Sequence, residues 1–394
     1  MSTGHVRAAA LAIVTGAAVL CAGPVFPQQP SAPTYNYWVY VGAESADRIH
    51  RVRFGPEGLV VERTIPVGEL SAEMEGPHGL QISRDGKYLH MTTGHGLPDG
   101  KYWKFALGPD TVVGQPISLG FFPASIDLTP DGLYAFVVNF NLHGEMVPSS
   151  VSVVYTPTNT EVARVTTCTM PHGSRVDPSG LRQYSTCMMD DQLVELDTRY
   201  FEVARRFSLA KGKEAALAPT DVGERAAHAG MGHAMPAQPS CSPTWAQPSA
   251  DGAKIYIACN KADEIVEVDR DRWTITRRFK TGRGPYNLAV TRDGRLLVAT
   301  LKQSGGVEIF DLRSGTSVLS SKSSAGVTHG VVITPDSRYA FVSSEGVGGA
   351  PGKVDVIDLR TLQRVGSVDV AQQAGGIAFW KSEPASRATG AKSP

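Results

Sequence analysis

Gly76-Pro77-His78-Gly79-Leu80-Gln81-Ile82-Ser83-Arg84-Asp85-Gly86, followed by the strand-like run Tyr88 to Thr93, is the stretch whose reading decides the fold. An Asp-Gly turn falls eight and nine residues after Pro77. The same offsets hold for Pro123 with Asp131-Gly132, Pro171 with Ser179-Gly180, Pro243 with Asp251-Gly252, Pro285 with Asp293-Gly294, and Thr328 with Asp336-Ser337. A seventh copy begins at Ala374-Gly375-Gly376. Anchors at 77, 123, 171, 243, 285, 328 and 374 give steps of 46, 48, 72, 42, 43 and 46 residues. Such a period belongs to the four-stranded blades of a β-propeller rather than to helical solenoids.

Each unit carries further strand signals, apolar alternation bounded by Gly, Asp, Asn and Pro. A second strand follows each turn, as in Tyr134–Phe140 and Lys254–Asn260. A third alternates and ends on Asp, as in Gln192–Asp197 and Glu264–Asp269. A fourth follows a short turn, as in Glu202–Leu209 and Thr274–Lys280. The ends complement one another. Trp38–Gly42, Arg48–Phe54 and Val60–Val67 read as second to fourth strands without a first, and Gly376–Trp380 reads as a first strand without followers. Joined, they make one blade that closes the ring and hides both sheet edges. The expectation is an all-β, seven-bladed propeller.

The 394 residues would suggest two or three domains by length, but stacked repeats share one core. The charge is balanced at 38 basic against 38 acidic residues, which gives no footing for a nucleic-acid track. At the N-terminus, His5 and Arg7 precede the apolar run Ala8 to Leu20 and then Cys21-Ala22-Gly23. This reads as a secretory signal peptide, with no other segment long and apolar enough to span a bilayer. A lipoprotein at Cys21 is the weaker alternative, because Leu20 is a poor match to the small residue such sites use. The expected organisation is a signal peptide over 1–23, a flexible lead-in over 24–35, the propeller over 36–381 with an inserted loop at 211–240, and a disordered tail over 382–394. The mature protein is expected to be periplasmic or secreted, and a monomer.

The unit Pro-x-Gly-(apolar)-x-(apolar)-x-x-Asp-Gly, with its aromatic-rich second strand and Val-x-Val-(Ile/Val)-Asp third strand, resembles the YVTN-type propeller repeats of secreted and surface-layer prokaryotic proteins. That resemblance implies architecture and little chemistry.

Cys168 and Cys241 stand three and two residues before their anchors, and Cys187 and Cys259 stand sixteen after the same anchors. This brings each pair together within a blade and predicts the disulfides Cys168–Cys187 and Cys241–Cys259, suited to an exported protein.

Loops between fourth and first strands, and between second and third strands, share one face of a propeller. Seven of the ten histidines fall there. His78, His172 and His329 each follow an anchor, His95 and His143 lie in second-to-third loops, and His228 and His233 lie in the insertion. Met231 and Met235 accompany the last two, while Met74, Met146 and Met170 flank the others. Imidazole suits copper and zinc, and thioether sulfur favours Cu(I). The candidate metal ligands are therefore His78, His172, His329, His95, His143, His228, Met231, His233 and Met235. A propeller with histidines converging at one mouth resembles the catalytic domain of nitrous oxide reductase, which holds a multi-copper cluster that way. This chain lacks that family's cupredoxin domain and has no adjacent His-His pair, so none of its catalytic residues carries over.

The expected function is transition-metal binding, copper first and zinc as alternative, for metal handling, sensing or redox use. It is not necessarily enzymatic; any enzyme would be a copper-dependent oxidoreductase. The competing reading is a recognition scaffold that binds another exported protein or a cell-surface ligand through the same face. A metal-dependent hydrolase or lactonase ranks last, since it would want carboxylates and Asn at the mouth, where the sequence reading places histidines, Trp245, Tyr286 and Ser125.

Overall fold

The computed structural model describes residues 31–70, 72–95, 100–223 and 238–385, besides Met1. Seven antiparallel sheets stand in a ring. Their innermost strands are Pro77–Ile82, Pro123–Leu128, Pro171–Val176, Pro243–Pro248, Pro285–Val290, Val327–Ile333 and Ala374–Pro384. Each inner strand touches the inner strands of both neighbouring blades, and the seventh touches the first. Blades are numbered here by these strands, one to seven.

The ring closes as the ends of the sequence imply. In blade seven Tyr35–Ala43 pairs with Arg48–Gly55 on one side and with Ala374–Pro384 on the other. Ladder pairs such as Val39 with Phe379 and Val41 with Ile377 join the two ends of the chain. The last strand is longer than expected. Tyr35 pairs with Pro384, so 382–384 are strand rather than tail, and the lead-in ends one residue sooner. Side chains tighten the seam. Trp380 Nε1 donates to the Gly86 carbonyl at 2.9 Å, and the Ala371 amide donates to His50 Nε2 at 3.0 Å.

Side chains on alternate faces of each blade fill the space against its two neighbours, a consequence of the two-residue period. Val39, Val41 and Phe54 of blade seven thus pack with Phe341, Val354 and Val356 of blade six. Tyr40 and Ile49 of the same blade pack with Leu89, Met91 and Phe105 of blade one.

Two blades depart from the common plan. In blade one the outer strand breaks into Thr111–Val112 and Ile117–Ser118, both against Lys101–Ala106. Gly114, at φ +75°, and Pro116, which has no N–H, interrupt it. Blade three gains a fifth strand, Ala215–Leu217, from the start of the insertion.

The Asp-Gly turns are structural. Ser83 Oγ donates to Asp85 at 2.7 Å and Ser249 Oγ to Asp251 at 2.6 Å, and these hydroxyls hold both carboxyls below the usual range. Both expected disulfides are present, Cys168–Cys187 and Cys241–Cys259. Among the described residues no helix is long and apolar enough to cross a membrane. The segment Ala8–Leu20 and Cys21 lie outside the described residues.

Candidate functional site

Three positions of each repeat build the channel mouth. The residue before the anchor is left-handed in six blades: Gly76, Phe122, Met170, Ser242, Gly284 and Gln373 have φ between 46° and 70°. This bend turns the chain into the inner strand. Non-glycine residues adopt it at a strain of about 1–2 kcal/mol each. Gly76 also has no room for a side chain, because a Cβ there would stand 2.7 Å from Glu44 Cγ and 2.8 Å from His95 Cδ2.

The residue after the anchor reads, around the ring, His78, Ala124, His172, Thr244, Tyr286, His329 and Gly375. Large and small side chains alternate up to Thr244, so a ring can lean over its neighbour. His78 Nδ1 donates to the Ala124 carbonyl at 2.5 Å, and His172 Nδ1 donates to the Thr244 carbonyl at 2.7 Å. The third position is one past the second-strand residue that pairs with the anchor, seventeen beyond the anchor: Gly94, Phe140, Met188, Asn260, Lys302 and Glu345. Its counterpart in blade seven is Glu44, one past the Ala43 that pairs with Ala374.

These side chains enclose a cavity of about 430 Å³, with Phe122, Phe140, Leu142 and Met188 on one wall and Glu44, His78, Tyr286, Lys302, His329 and Glu345 among its polar lining. Glu44 is the centre of the polar side and is buried. Its Oε1 accepts from His95 Nε2 at 2.8 Å, its Oε2 lies 3.9 Å from His78 Nε2, and Gln373 Nε2 donates to it at 3.0 Å. Burial alone would raise its pKa, but His78, His95 and Lys302 outweigh this and hold the carboxyl below the usual range. Lys302 Nζ stands 3.1 Å from Glu345 and 4.5 Å from the Tyr286 ring centre. Burial works against its charge, yet Tyr286 and Glu345 keep its pKa raised.

The structure gathers all five described candidate histidines at this mouth. The rings of His78 and His329 are 5.5 Å apart, and His143 stacks on His95 at 5.3 Å. They are not equivalent as ligands. His172 has both nitrogens engaged, Nδ1 as above and Nε2 accepting from the Tyr286 hydroxyl at 3.0 Å, and burial pushes its pKa down to about 3. It is therefore a packing and hydrogen-bonding residue in this arrangement, contrary to its expected place among the inner ligands. Burial also drives His329 well below its ordinary pKa, and its Nε2 is 3.8 Å from Glu345. Met74 and Met146 are exposed, and Met170 packs with Phe122 and Phe140. His228, Met231, His233 and Met235 lie outside the described residues. Among the described residues, no three His, Cys, Asp or Glu side chains stand in ready metal-ligand geometry.

The sequence reading missed Glu44, Lys302 and Glu345. The signal available was the repeat itself, since the position seventeen beyond each anchor supplies all three. Glu44 registers only when the count is carried across the chain ends. With Asn260, these residues also put carboxylates and an amide at the mouth, which removes the ground on which a hydrolase ranked last.

No protein-family model matches the chain, and no curated protein matches it. Solved structures resemble its fold. The periplasmic gluconolactonase PpgL of Pseudomonas aeruginosa aligns with TM-score 0.66 and 17% identity over 88% of this chain and 99% of that one. A protein from Lactobacillus plantarum aligns with TM-score 0.64 and 12% identity over 88% and 100%. Hydrazine synthase of Kuenenia stuttgartiensis aligns with TM-score 0.56 and 17% identity over 74% and 80%.

Proposed function

We propose that the histidine-bearing mouth binds a transition-metal ion, copper or zinc, through Nε2 of His78, Nε2 of His95 and the Glu44 carboxylate. The observation that carries this reading is two imidazole nitrogens turned onto one buried carboxylate, at 2.8 and 3.9 Å. His78 Nδ1 donates to the Ala124 carbonyl, so Nε2 is the nitrogen left to bind a metal ion. The cavity sets the carboxylates of Glu44 and Glu345 against one ammonium, Lys302, and so favours a cation. A metal ion would replace the proton shared by His95 and Glu44 and draw His78 inward, with proton release. Imidazole with carboxylate suits zinc and Cu(II), while the Met188 thioether in the same wall favours Cu(I). Neighbouring His143 and the insertion residues His228, Met231, His233 and Met235 are the further donors of this reading. The two disulfides, the fold shared with a periplasmic protein and the YVTN-type repeat support a site of action outside the cytoplasm.

The test is metal content of the exported protein under copper- and zinc-replete conditions. Wild type should retain a stoichiometric ion, and the His78→Ala/Glu44→Gln variant should lose it. Equal and negligible metal in both would refute the reading and leave the face to the recognition-scaffold alternative.

A second reading is favoured by Glu345, Asn260 and Lys302 beside the same cavity and by the fold shared with a gluconolactonase: metal-assisted hydrolysis of a small lactone or ester. Hydrolysis of glucono-1,5-lactone by metal-loaded protein, no faster than by the Glu44→Gln variant, would reject it without touching the metal assignment.

A further inference from the structure

On the turn face, opposite the histidines, a groove of about 630 Å³ opens between blades one and two. Its nature follows from comparing blades. Blades three and four each send a cation to the carbonyl just past the third strand of the next blade. Arg205 donates to the Arg270 carbonyl at 2.8 Å, and Arg277 donates to the Leu312 carbonyl at 2.8 Å. Each of these arginines is neutralised within its own blade. Glu195 accepts from Arg205 Nε at 3.0 Å, and Glu267 lies 3.5 Å from Arg277.

In blade one the same carbonyl contact is made by Lys104, whose Nζ donates to the Thr156 carbonyl at 2.9 Å. Lys104, opposite His90 in the ladder, occupies the register position of Glu195 and Glu267, which are opposite Tyr184 and Tyr256. The cation has thus taken the place of its own counter-ion. The broken outer strand supplies no substitute, and among the described residues no carboxylate comes within ion-pair distance of Lys104. The side chain is 8% exposed, and its ammonium lies 4.2 Å from the Tyr88 ring centre. Burial lowers its pKa, the mark of a cation short of negative charge. Beside it His90 is kept neutral by burial, with Tyr102 Oη 2.6 Å from Nδ1. The nearby carboxylates are already committed to their turns, Asp85 to Ser83 and Lys87, and Asp131 to Thr129 and the Leu133 amide.

We propose that this groove is a binding site for a small organic carboxylate, whose charge pairs with Lys104 at the base and whose apolar body lies against Tyr88, Leu133 and Pro157. The missing glutamate is supplied by the ligand. The site is independent of the metal reading and on the other face.

The experiment is calorimetric titration of the full-length protein with sodium benzoate, and separately with inorganic phosphate, at fixed ionic strength. Leu133 is 40% exposed at the groove, so Leu133→Glu adds a carboxylate without disturbing the core. This change should weaken benzoate about tenfold, since it lines the same groove with a second carboxylate that repels the bound one at an effective dielectric of about 20. Lys104→Met should abolish benzoate binding, and His78→Ala at the far mouth should leave it unchanged. Phosphate should bind more weakly than benzoate. Absence of benzoate binding to wild type, equal affinity in Leu133→Glu, or loss in His78→Ala would each overturn the proposal.

Discussion

Acid should weaken this fold through His90, and the size of the effect can be worked out. His90 is 1% exposed in the second strand of blade one, and burial together with the Lys104 charge lowers its pKa to about 3. In the unfolded chain it titrates near 6.5. Its folded pKa is depressed, so the unfolded state binds more protons between those values. The contribution is fully present above about pH 6.5, is lost progressively as pH falls, and levels off below about 3. At pH 4.5, two units below the unfolded value, the loss is about 3 kcal/mol at 1.36 kcal/mol per unit. His50, pushed down to about 4 by burial, acts in the same direction at the ring seam. The assay is urea denaturation at pH 7 and 4.5 for wild type and His90→Phe. Phe stands at the corresponding position of blades two and six, as Phe136 and Phe341, so the shape is one this fold accepts. The variant should be weaker at pH 7, where it leaves the Tyr102 hydroxyl without its partner, yet lose less stability on acidification, by about the His90 increment. An identical pH 7 to 4.5 difference in both proteins would refute the assignment of acid sensitivity to this ring.

Deleting the chain after Gln373 removes the strand that pairs with Tyr35–Ala43 and exposes that edge, so the truncated protein should melt well below the full chain; equal melting temperatures would contradict the closure. Each disulfide spans a sequence separation of 19 or 18, for which chain entropy gives about 3 kcal/mol, so Cys168→Ala/Cys187→Ala should lower stability by about that amount in chemical denaturation. Gly76→Ala would force a Cβ between Glu44 and His95 in a left-handed backbone, and should cut metal retention while circular dichroism still reports the propeller.

The architecture was legible because its signals are local. A turn motif at fixed offset and two-residue alternation are written in each blade, and the three strands at one end could be matched to the single strand at the other by inspection. Disulfide pairing was legible for the same reason, as both cysteines of a pair keep their distance from one anchor. The mouth was legible only as a face. Which nitrogen of which ring is free depends on side-chain direction across blades. His172 loses its Nε2 to Tyr286, whose anchor lies two blades on, and nothing in the sequence near either residue announces that bond. Glu44 stayed hidden for a different reason. Its repeat unit begins at Ala374, so the offset that makes it the partner of Lys302 and Glu345 runs through both chain ends.

That split gives the site a mechanical consequence. Glu44 belongs to the N-terminal part of blade seven, and its backbone amide donates to the carbonyl of Gln373, which leads into the C-terminal strand, at 3.0 Å. The Gln373 side chain returns to the Glu44 carboxylate, also at 3.0 Å. His78 and His95 reach the same carboxylate from blade one, and His329 of blade six stands beside the His78 ring. The proposed ligands Glu44, His78 and His95 all lie on the N-terminal side of the ladder that joins the chain ends, and the two bonds to Gln373 tie Glu44 to the other side of it. An ion bound there would favour the closed ring over any opened form in which Glu44 and His78 separate. By linkage this adds about 2.7 kcal/mol at a free ion concentration a hundredfold above Kd. The coupling is reciprocal: to the extent that fraying of the Ala374–Pro384 strand frees Glu44 from Gln373 and weakens the site, occupation of the site strengthens that contact by as much.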